Sequence, residues 1–246
     1  MRHIHWFDED DHTSPFPPLE CALEEPNGLL AAGGPLSVQR LMSAYRVGVF
    51  PWFSEGQPVL WWSPDPRAIL RPDRIRVSRS LRKRINHGGF EVTLDRAFEQ
   101  VVRACAAPRA GQPGTWITPG LLRAYTELYE RGVAHSVETW LDGRLVGGLY
   151  GVAIGRAFFG ESMFTRERDA SKVALTWLSR QLQHWGFPFI DCQVPSGHLA
   201  RMGADLIPRA EFETLLDQAR ALPGPASPWR LDEGFHPLAA PQGASI

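Results

Sequence analysis

The sequence predicts an α+β protein in two parts, a small first region followed by a larger one that alternates strands and helices. Three observations point there. Up to about residue 65, Pro, Gly and aromatic residues crowd together around one short helical pattern. Beyond it, apolar residues recur with the period of two that strands need and then with the helical period. Within that second part, Asp142-Gly143 sits between two strand-like runs, a strong signal for a tight hairpin.

Residues 1–13 are polar and acidic and read as a loose tail. His3, His5 and His12 lie near Asp8, Asp10 and Asp11, a composition that favours disorder over a metal site. Residues 14–35 are rich in Pro and Gly and should be irregular. Ser37 reads as a helix N-cap, with Leu36 and Leu41 as a hydrophobic staple. Val38, Leu41, Met42 and Tyr45 keep helical phase, and Gly48 stops the helix. Phe50-Pro51-Trp52-Phe53 and Trp61-Trp62-Ser63-Pro64-Asp65-Pro66 then mark a small domain or the wall of a cleft. A boundary near Asp65 divides a first domain, 1–65, from a second, 66–225, which a Pro-rich tail, 226–246, follows.

In the second part Phe90, Val92 and Leu94 alternate as a strand. Asp95 is the predicted cap of a helix carrying Phe98, Val101, Val102 and Cys105. Thr118-Pro119 is an N-cap with proline at the first helical position. Leu121, Tyr125 and Leu128 continue that helix to Gly132. Residues 136–141 and 144–154 are the hairpin strands, and 156–164 a third strand. Ser171 to Trp185 is an amphipathic helix with Leu175, Leu178, Leu182 and Trp185 in phase. Phe189 to Val194 is the strand after it.

Strand, hairpin, strand, helix, strand is the order in the core of acyltransferases of the N-acetyltransferase (GNAT) type. Acyl-CoA-dependent members cradle a pyrophosphate on a Gly-rich turn. Thr165 to Lys172, the corresponding stretch, holds no glycine, and backbone without glycine's freedom cannot come as close to the phosphates. GxxxxGK[ST] is also missing, so neither CoA nor ATP is expected as a cofactor.

Composition narrows the classes further. The first residues lack the basic-then-apolar pattern of a signal peptide. No apolar run nears the roughly 20 residues that cross a bilayer, so a cytoplasmic location and no membrane partner are expected. Cys21, Cys105 and Cys192 make no CxxC pair, which predicts reduced thiols and no metal site. A net charge of −1 argues against a general nucleic-acid binder. Yet Arg71, Arg74, Arg76, Arg79, Arg82, Lys83 and Arg84 fall together against Asp73 alone. Such a block suits a phosphate backbone, although a solvated strand-and-turn edge would look the same.

Asp191 and Gln193, two apart on a predicted strand, should share a face, with Cys192 on the other as a core thiol. Burying an Asp–Gln pair is costly without partners. Glu161 lies among aromatic and apolar residues in Phe158-Phe159-Gly160-Glu161-Ser162-Met163-Phe164, and Gly160 permits close approach. Glu161 and Asp191 on neighbouring strands would form an acidic pocket for a cationic substrate. The chain has nine tryptophans. Trp52, Trp61, Trp62 and Trp116 sit beside turn residues, where an exposed indole can stack on a base. Trp177 and Trp185 fit core packing.

These segments resemble the leucyl/phenylalanyl-tRNA–protein transferases. The resemblance rests on Phe16-Pro17-Pro18, Glu25 to Ala31, Gly48-Val49-Phe50-Pro51-Trp52-Phe53, Trp61 to Arg67, Ser78-Arg79-Ser80, Gly114 to Thr118, Val146 to Val152, Gly160-Glu161-Ser162-Met163-Phe164, Ala170-Ser171-Lys172 and Ile190-Asp191-Cys192-Gln193, in order over about residues 16–215. It implies a small N-terminal α/β domain packed on a GNAT-like domain that has lost acyl-CoA use. It implies transfer of Leu or Phe, less often Met, from aminoacyl-tRNA to proteins beginning with Lys or Arg, marking them for N-end-rule degradation. By resemblance Asp191, Gln193 and Glu161 form the catalytic centre, and Trp52 and Trp116 belong to the aminoacyl-adenosine site. Leu149, Leu175, Leu178, Leu182 and Ile190 match the pocket for the Leu or Phe side chain. Leu149 departs from the familiar methionine there, at roughly constant volume. Strand parity sets Ile190 opposite Asp191. Arg79, Arg82, Lys83 and Arg84 are the candidate tRNA contacts, and a monomer is expected.

An aminoacyl ester is already activated, so the enzyme needs only to align two ends and handle one proton. The expected arrangement has Asp191 orienting Gln193, the Gln193 carbonyl accepting from the attacking amine, and Glu161 pairing with the acceptor's positive end. Two other readings remain at this point. An acyl-CoA N-acetyltransferase conflicts with the glycine-free turn. A non-enzymatic RNA-binding module leaves Glu161, Asp191 and Gln193 without a role.

Overall fold

Two sheets share the strands of this computed structural model, which describes residues 3–108 and 115–239. The smaller sheet holds β1 (His5–Phe7), β2 (Leu29–Gly33), β3 (Phe50–Pro51) and β4 (Leu60–Trp62), in the order β1-β2-β4-β3. Helix α1 (Val38–Arg46) begins where Ser37 was expected to cap it, and the Ser37 hydroxyl accepts from the Arg40 N–H. Trp61 is fully buried, and its indole N–H donates to the Gly33 carbonyl at 2.9 Å.

The expected loose tail is corrected over residues 3–13. β1 pairs in parallel with β2, and Phe7 is buried. Arg40, itself fully buried, donates to the carbonyls of Ser14 and Asp11, pairs with the Asp11 carboxylate at 2.8 Å and lies over the Phe7 and Phe16 rings. One buried cation thus gathers a segment whose own composition predicts disorder. Residues 1 and 2 lie outside the described residues.

The larger sheet holds β5 (Arg67–Leu70), β6 (Glu91–Leu94), β7 (Ala134–Leu141), β8 (Arg144–Ile154), β9 (Ala157–Thr165), β10 (Phe189–Gln193) and β11 (Asp205–Ile207), in the order β11-β5-β10-β9-β8-β7-β6. Around it lie α2 (Arg79–His87), α3 (Phe98–Ala106), α4 (Pro119–Glu130), α5 (Ala170–His184), α6 (Gly197–Met202) and α7 (Arg209–Arg220). The hairpin turns at Asp142-Gly143, both at positive φ, as an Asp-Gly turn requires. The succession β7-β8-β9-α5-β10 is the one the sequence predicts.

Alternate strand residues feed two hydrophobic clusters. Ile69, Tyr150, Phe159 and Phe189 pack with α1, α3, α4 and α7. Leu70, Leu149, Phe158 and Ile190 pack with α2 and α5. Gly147 lets α5 sit close on β8, because a Cβ there would lie 2.5 Å from the Ala170 Cβ.

Asp95 does not cap α3 as predicted: the N-cap position is Ala97, without a side-chain bond. The Asp95 carboxylate is turned instead toward β7 and the C-terminal segment. It accepts from the backbone N–H groups of Ser136 at 2.9 Å and Trp229 at 2.6 Å and lies 2.8 Å from His135 Nδ1. Trp229 stacks on His135 with ring centroids 3.6 Å apart and is buried. The Pro-rich end is therefore laid against the protein around Trp229, and residues 240–246 of it lie outside the described residues. Among the described residues, no helix is long and apolar enough to cross a membrane.

Candidate active site

The site is made by a parting of strands. β9 and β10 are parallel, and their pairing runs through Phe189↔Ala157 and Ile190↔Phe158 to Asp191↔Phe159. Beyond that pair the two strands separate, each with an irregularity. Between β8 and β9 the register jumps from Tyr150↔Ser162 to Gly151↔Gly160, which makes Glu161 the extra residue. Between β10 and β5 it jumps from Asp191↔Ile69 to Gln193↔Ala68, which makes Cys192 the extra residue. A bulge bends a strand and re-aims side chains. Opposite the first bulge only glycine fits, because a Cβ on Gly151 would lie 2.2 Å from the Phe159 carbonyl oxygen. Gln193 takes φ +59°, uncommon outside glycine. Glu161 and Gln193 meet across the gap, where the Gln193 amide nitrogen donates to Glu161 Oε1 at 3.3 Å.

Behind Gln193 lies a residue that sequence reasoning left out of the site. Arg67, fully buried, donates from Nε to Asp191 Oδ1 at 2.8 Å and from Nη2 to Oδ2 at 2.6 Å. Its guanidinium is sandwiched between the rings of Phe50 and Phe212, at 4.9 and 4.5 Å. The fork matches a carboxylate with two parallel bonds, the strongest geometry such a pair has. Asp191 Oδ1 also accepts from the Gln193 backbone N–H at 2.9 Å and so holds the bulge. The acidic pocket expected from Glu161 and Asp191 together is thus corrected. Arg67 neutralises Asp191, and among the described residues Glu161 has no ion-pair partner.

Glu161 is held from the opposite side. The Tyr125 hydroxyl of α4 donates to Glu161 Oε2 at 2.6 Å, and the Tyr45 hydroxyl of α1 lies 2.7 Å from that of Tyr125. Burial pushes the Glu161 carboxyl up to about 7, against the opposing hydrogen bonds of Tyr125 and Tyr45; the Asp191 charge adds to the rise. Burial and the same Glu161 charge hold both phenols well above their ordinary range. Tyr125 stood in the predicted α4 pattern as an apolar residue, so its periodicity hid its hydroxyl.

A cavity of about 910 Å³ opens at the parting. Leu149, Leu175, Leu178 and Ile190 line it together with Glu161, Asp191 and Gln193. Ile190 does lie opposite Asp191, and it faces the same side as the three leucines, so its parity is what puts it on the apolar wall. Cys192 is buried there as a core thiol, its ionisation pushed up by burial. His198 of α6 also lines the cavity, with desolvation and the charges of Lys172 and Arg201 lowering its proton affinity.

Three of the residues matched to the aminoacyl-adenosine site are not on this wall. Leu182 is fully buried in the core under α5, one turn beyond Leu178. Trp52 is 46% exposed on the smaller sheet, its ring 5.9 Å from that of Trp62. Trp116 packs partly buried just before α4, and Gly114 of its motif lies outside the described residues.

Arg79, Arg82, Lys83 and Arg84 of the basic block lie on the helix α2, while Arg71, Arg74 and Arg76 precede it in turn and extended segments. Ser78 caps α2 by accepting from the Leu81 N–H. Arg79, Arg82 and Lys83 are exposed, and no carboxylate among the described residues pairs with them. Arg84 differs. It lies over the Phe90 ring and donates to the Arg168 carbonyl at 3.2 Å. That ties α2 to the turn whose Arg166 reaches the cavity.

A family model described as leucyl/phenylalanyl-tRNA protein transferase matches residues 69–217, and one for the N-terminal domain of that family matches residues 34–65. A curated protein named leucyl/phenylalanyl-tRNA–protein transferase from Alkalilimnicola ehrlichii is 56% identical over 240 residues, 97% of this chain and 93% of the relative. Its namesake from Nitrosomonas europaea is 59% identical over 219 residues, 89% of this chain and 93% of the relative. Among solved structures, a GCN5-related N-acetyltransferase from Kribbella flavida overlaps 66% of this chain and 57% of that one, at 14% identity and a TM-score of 0.37.

Proposed function

This chain belongs to the leucyl/phenylalanyl-tRNA protein transferase family, and on that premise we propose how its geometry moves leucine or phenylalanine from charged tRNA to the N-terminal amine of a protein beginning with Lys or Arg. The observation that carries the reading is one cavity with an apolar half and a polar half. Leu149, Leu175, Leu178 and Ile190 take the donor side chain, which selects large apolar groups over charged ones. Discrimination among Leu, Phe and Met in such a pocket is limited to roughly 1–3 kcal/mol per methylene. Trp52, with an exposed face, stacks the terminal adenine, a contact of about 1–3 kcal/mol. Trp116 flanks the same end of the donor.

At the polar end Gln193 spends its amide nitrogen on Glu161, which leaves its side-chain carbonyl to accept from the attacking amine. Asp191, locked on Arg67, positions Gln193 through the backbone bond. Glu161 meets the acceptor's positive end at its N-terminal ammonium. Lys and Arg share only a cation on a long stem, so a site taking both reads charge more than shape. Arg79, Arg82 and Lys83 on α2 hold phosphates of the tRNA, with Arg84 fixing the helix to the site. The new N-terminus marks the acceptor for degradation in the cytoplasm.

The deciding experiment is transfer of labelled leucine from charged tRNA to a peptide beginning with Arg, beside the same peptide beginning with Glu. Transfer to the first and not the second is expected. Equal transfer to both would refute the acceptor assignment.

A further inference from the structure

We propose that Glu161 is the group that takes the proton from the acceptor amine, with Tyr125 and Tyr45 as positioning residues that keep its carboxylate available, while Asp191 takes no part in proton transfer. The proposal rests on the transferase reading above and deepens it.

The two carboxylates differ in what holds them. Both oxygens of Asp191 are engaged, by two guanidinium N–H groups and the Gln193 backbone N–H. A proton on Asp191 would break a charge-assisted bond inside a fully buried pair and leave Arg67 uncompensated. Among the described residues Glu161 has no cation within ion-pair distance. Its Oε2 is held by Tyr125 at 2.6 Å, while its Oε1 takes the longer, 3.3 Å contact from Gln193. The amine that donates to the Gln193 carbonyl therefore comes within reach of Glu161 Oε1.

The surroundings set its proton affinity. Tyr125 reaches it from α4, Tyr45 from α1 and Tyr150 from β8; Asp191 and Gln193 face it from β10 and Arg67 from β5. Burial and Asp191 favour the neutral carboxyl, and the phenol pair and Arg67 favour the carboxylate. The balance leaves Glu161 near 7, where a general base works best at neutral pH.

The protons balance without another reactant. Glu161 carboxylate takes one proton from the acceptor's N-terminal ammonium and becomes the acid. The freed amine attacks the ester carbonyl and the C–N bond forms. As the C–O bond to the ribose breaks, the leaving oxygen keeps the electron pair and takes the second proton from the nitrogen, giving the tRNA hydroxyl. Glu161 then returns its proton to water through the cavity.

The test is single-turnover transfer of leucine to an Arg-starting peptide, both substrates saturating, followed across the neutral pH range. The wild-type rate should rise through a midpoint near Glu161's value, about 7. Tyr125→Phe removes a bond to the charged form, so the midpoint should move up by about one unit with the high-pH plateau intact. Tyr45→Phe should shift it the same way by less, and serves if Tyr125→Phe does not fold. Glu161→Gln should lower the rate ~10²- to 10⁴-fold and keep charged-tRNA binding by filter retention. Its residual rate should follow the amine itself, at about 7.7–8.0. Tyrosine variants that slow the reaction by one factor at every pH, or a Glu161→Gln variant with the wild-type profile, would overturn the proposal and leave the transferase reading standing. A wild-type chain that transfers nothing would overturn that reading and the proposal with it.

Discussion

Replacing Asp191 with alanine should destabilise this protein strongly as well as slow the reaction. Arg67 and Asp191 are both fully buried, with N···O distances of 2.6 and 2.8 Å, and two aromatic rings exclude water from the guanidinium. Removing one partner of such a pair strands the other's charge, at a cost of ~3–5 kcal/mol. At ~2–4 °C per kcal/mol for a chain of this size, Tm should fall by roughly 6–20 °C. Arg67→Met should cost a similar amount. The double variant Arg67→Met/Asp191→Ala removes both charges, so it should regain part of the loss and show strong coupling in a double-mutant cycle. Urea unfolding followed by tryptophan fluorescence measures all four corners, each scored beside single-turnover transfer. We expect the double variant to be folded yet slow, because the carboxylate that fixes the Gln193 backbone is gone. An Asp191→Ala cost below about 1 kcal/mol, the range of an exposed pair, would refute the buried clamp. A double variant that is both stable and fully active would refute any positioning role for Asp191.

Further outcomes test other parts of the site. Arg79→Ala, Arg82→Ala and Lys83→Ala should raise the Michaelis constant for charged tRNA, much less for an aminoacyl-adenosine donor, and flatten the salt dependence by roughly 0.7–0.9 log units per lost phosphate contact; equal effects on both donors would count against phosphate binding. Leu175→Ala should impair transfer of leucine more than phenylalanine, because an enlarged wall loses the smaller side chain first. Leu182→Ala, off the cavity, should cost ~2–5 kcal/mol of stability with an unchanged Leu-to-Phe ratio; a changed ratio would put Leu182 back on the wall. Glu161 binds its proton more tightly folded than unfolded, so between about 4.5 and about 7 the wild type should lose stability as pH rises. Glu161→Gln should lack that slope, and parallel wild-type and variant stability curves across that window would contradict the raised value.

Local rules reach the elements whose signals are local. Ser37, Thr118 and the Asp142-Gly143 turn each act over a few residues, and each is found where its chemistry predicts. Misreadings arise where a distant partner decides. Asp95 has the composition of a cap but accepts from Trp229, 134 residues away. The first 13 residues have the composition of a tail but carry Phe7 and Asp11, and Arg40 collects them only once α1 exists. Helix α2 was concealed by its own charge, because a run of arginines on a short helix leaves just Leu81 and Ile85 to mark the buried face.

The site follows the same division with one added cause. The composition of two short strings, Gly160 to Phe164 and Ile190 to Gln193, points to three polar side chains that the structure brings together. How they meet is not legible there, because strand parity assumes an unbroken ladder and both strings contain an extra residue. With regular pairing, a period of two would carry β9 and β10 on side by side past Asp191 and Phe159. The bulge at Glu161 and the positive φ at Gln193 end that regularity on both strands within two residues of the last pair, and the gap they leave is the cavity. Arg67 falls within a recognisable string yet carries no sign of its role there, since the carboxylate it clamps lies 124 residues further on. Arg67 commits Asp191 to an ion pair and leaves Glu161 with hydrogen bonds alone, and that difference in partners is what the proposed division of roles between the two carboxylates rests on.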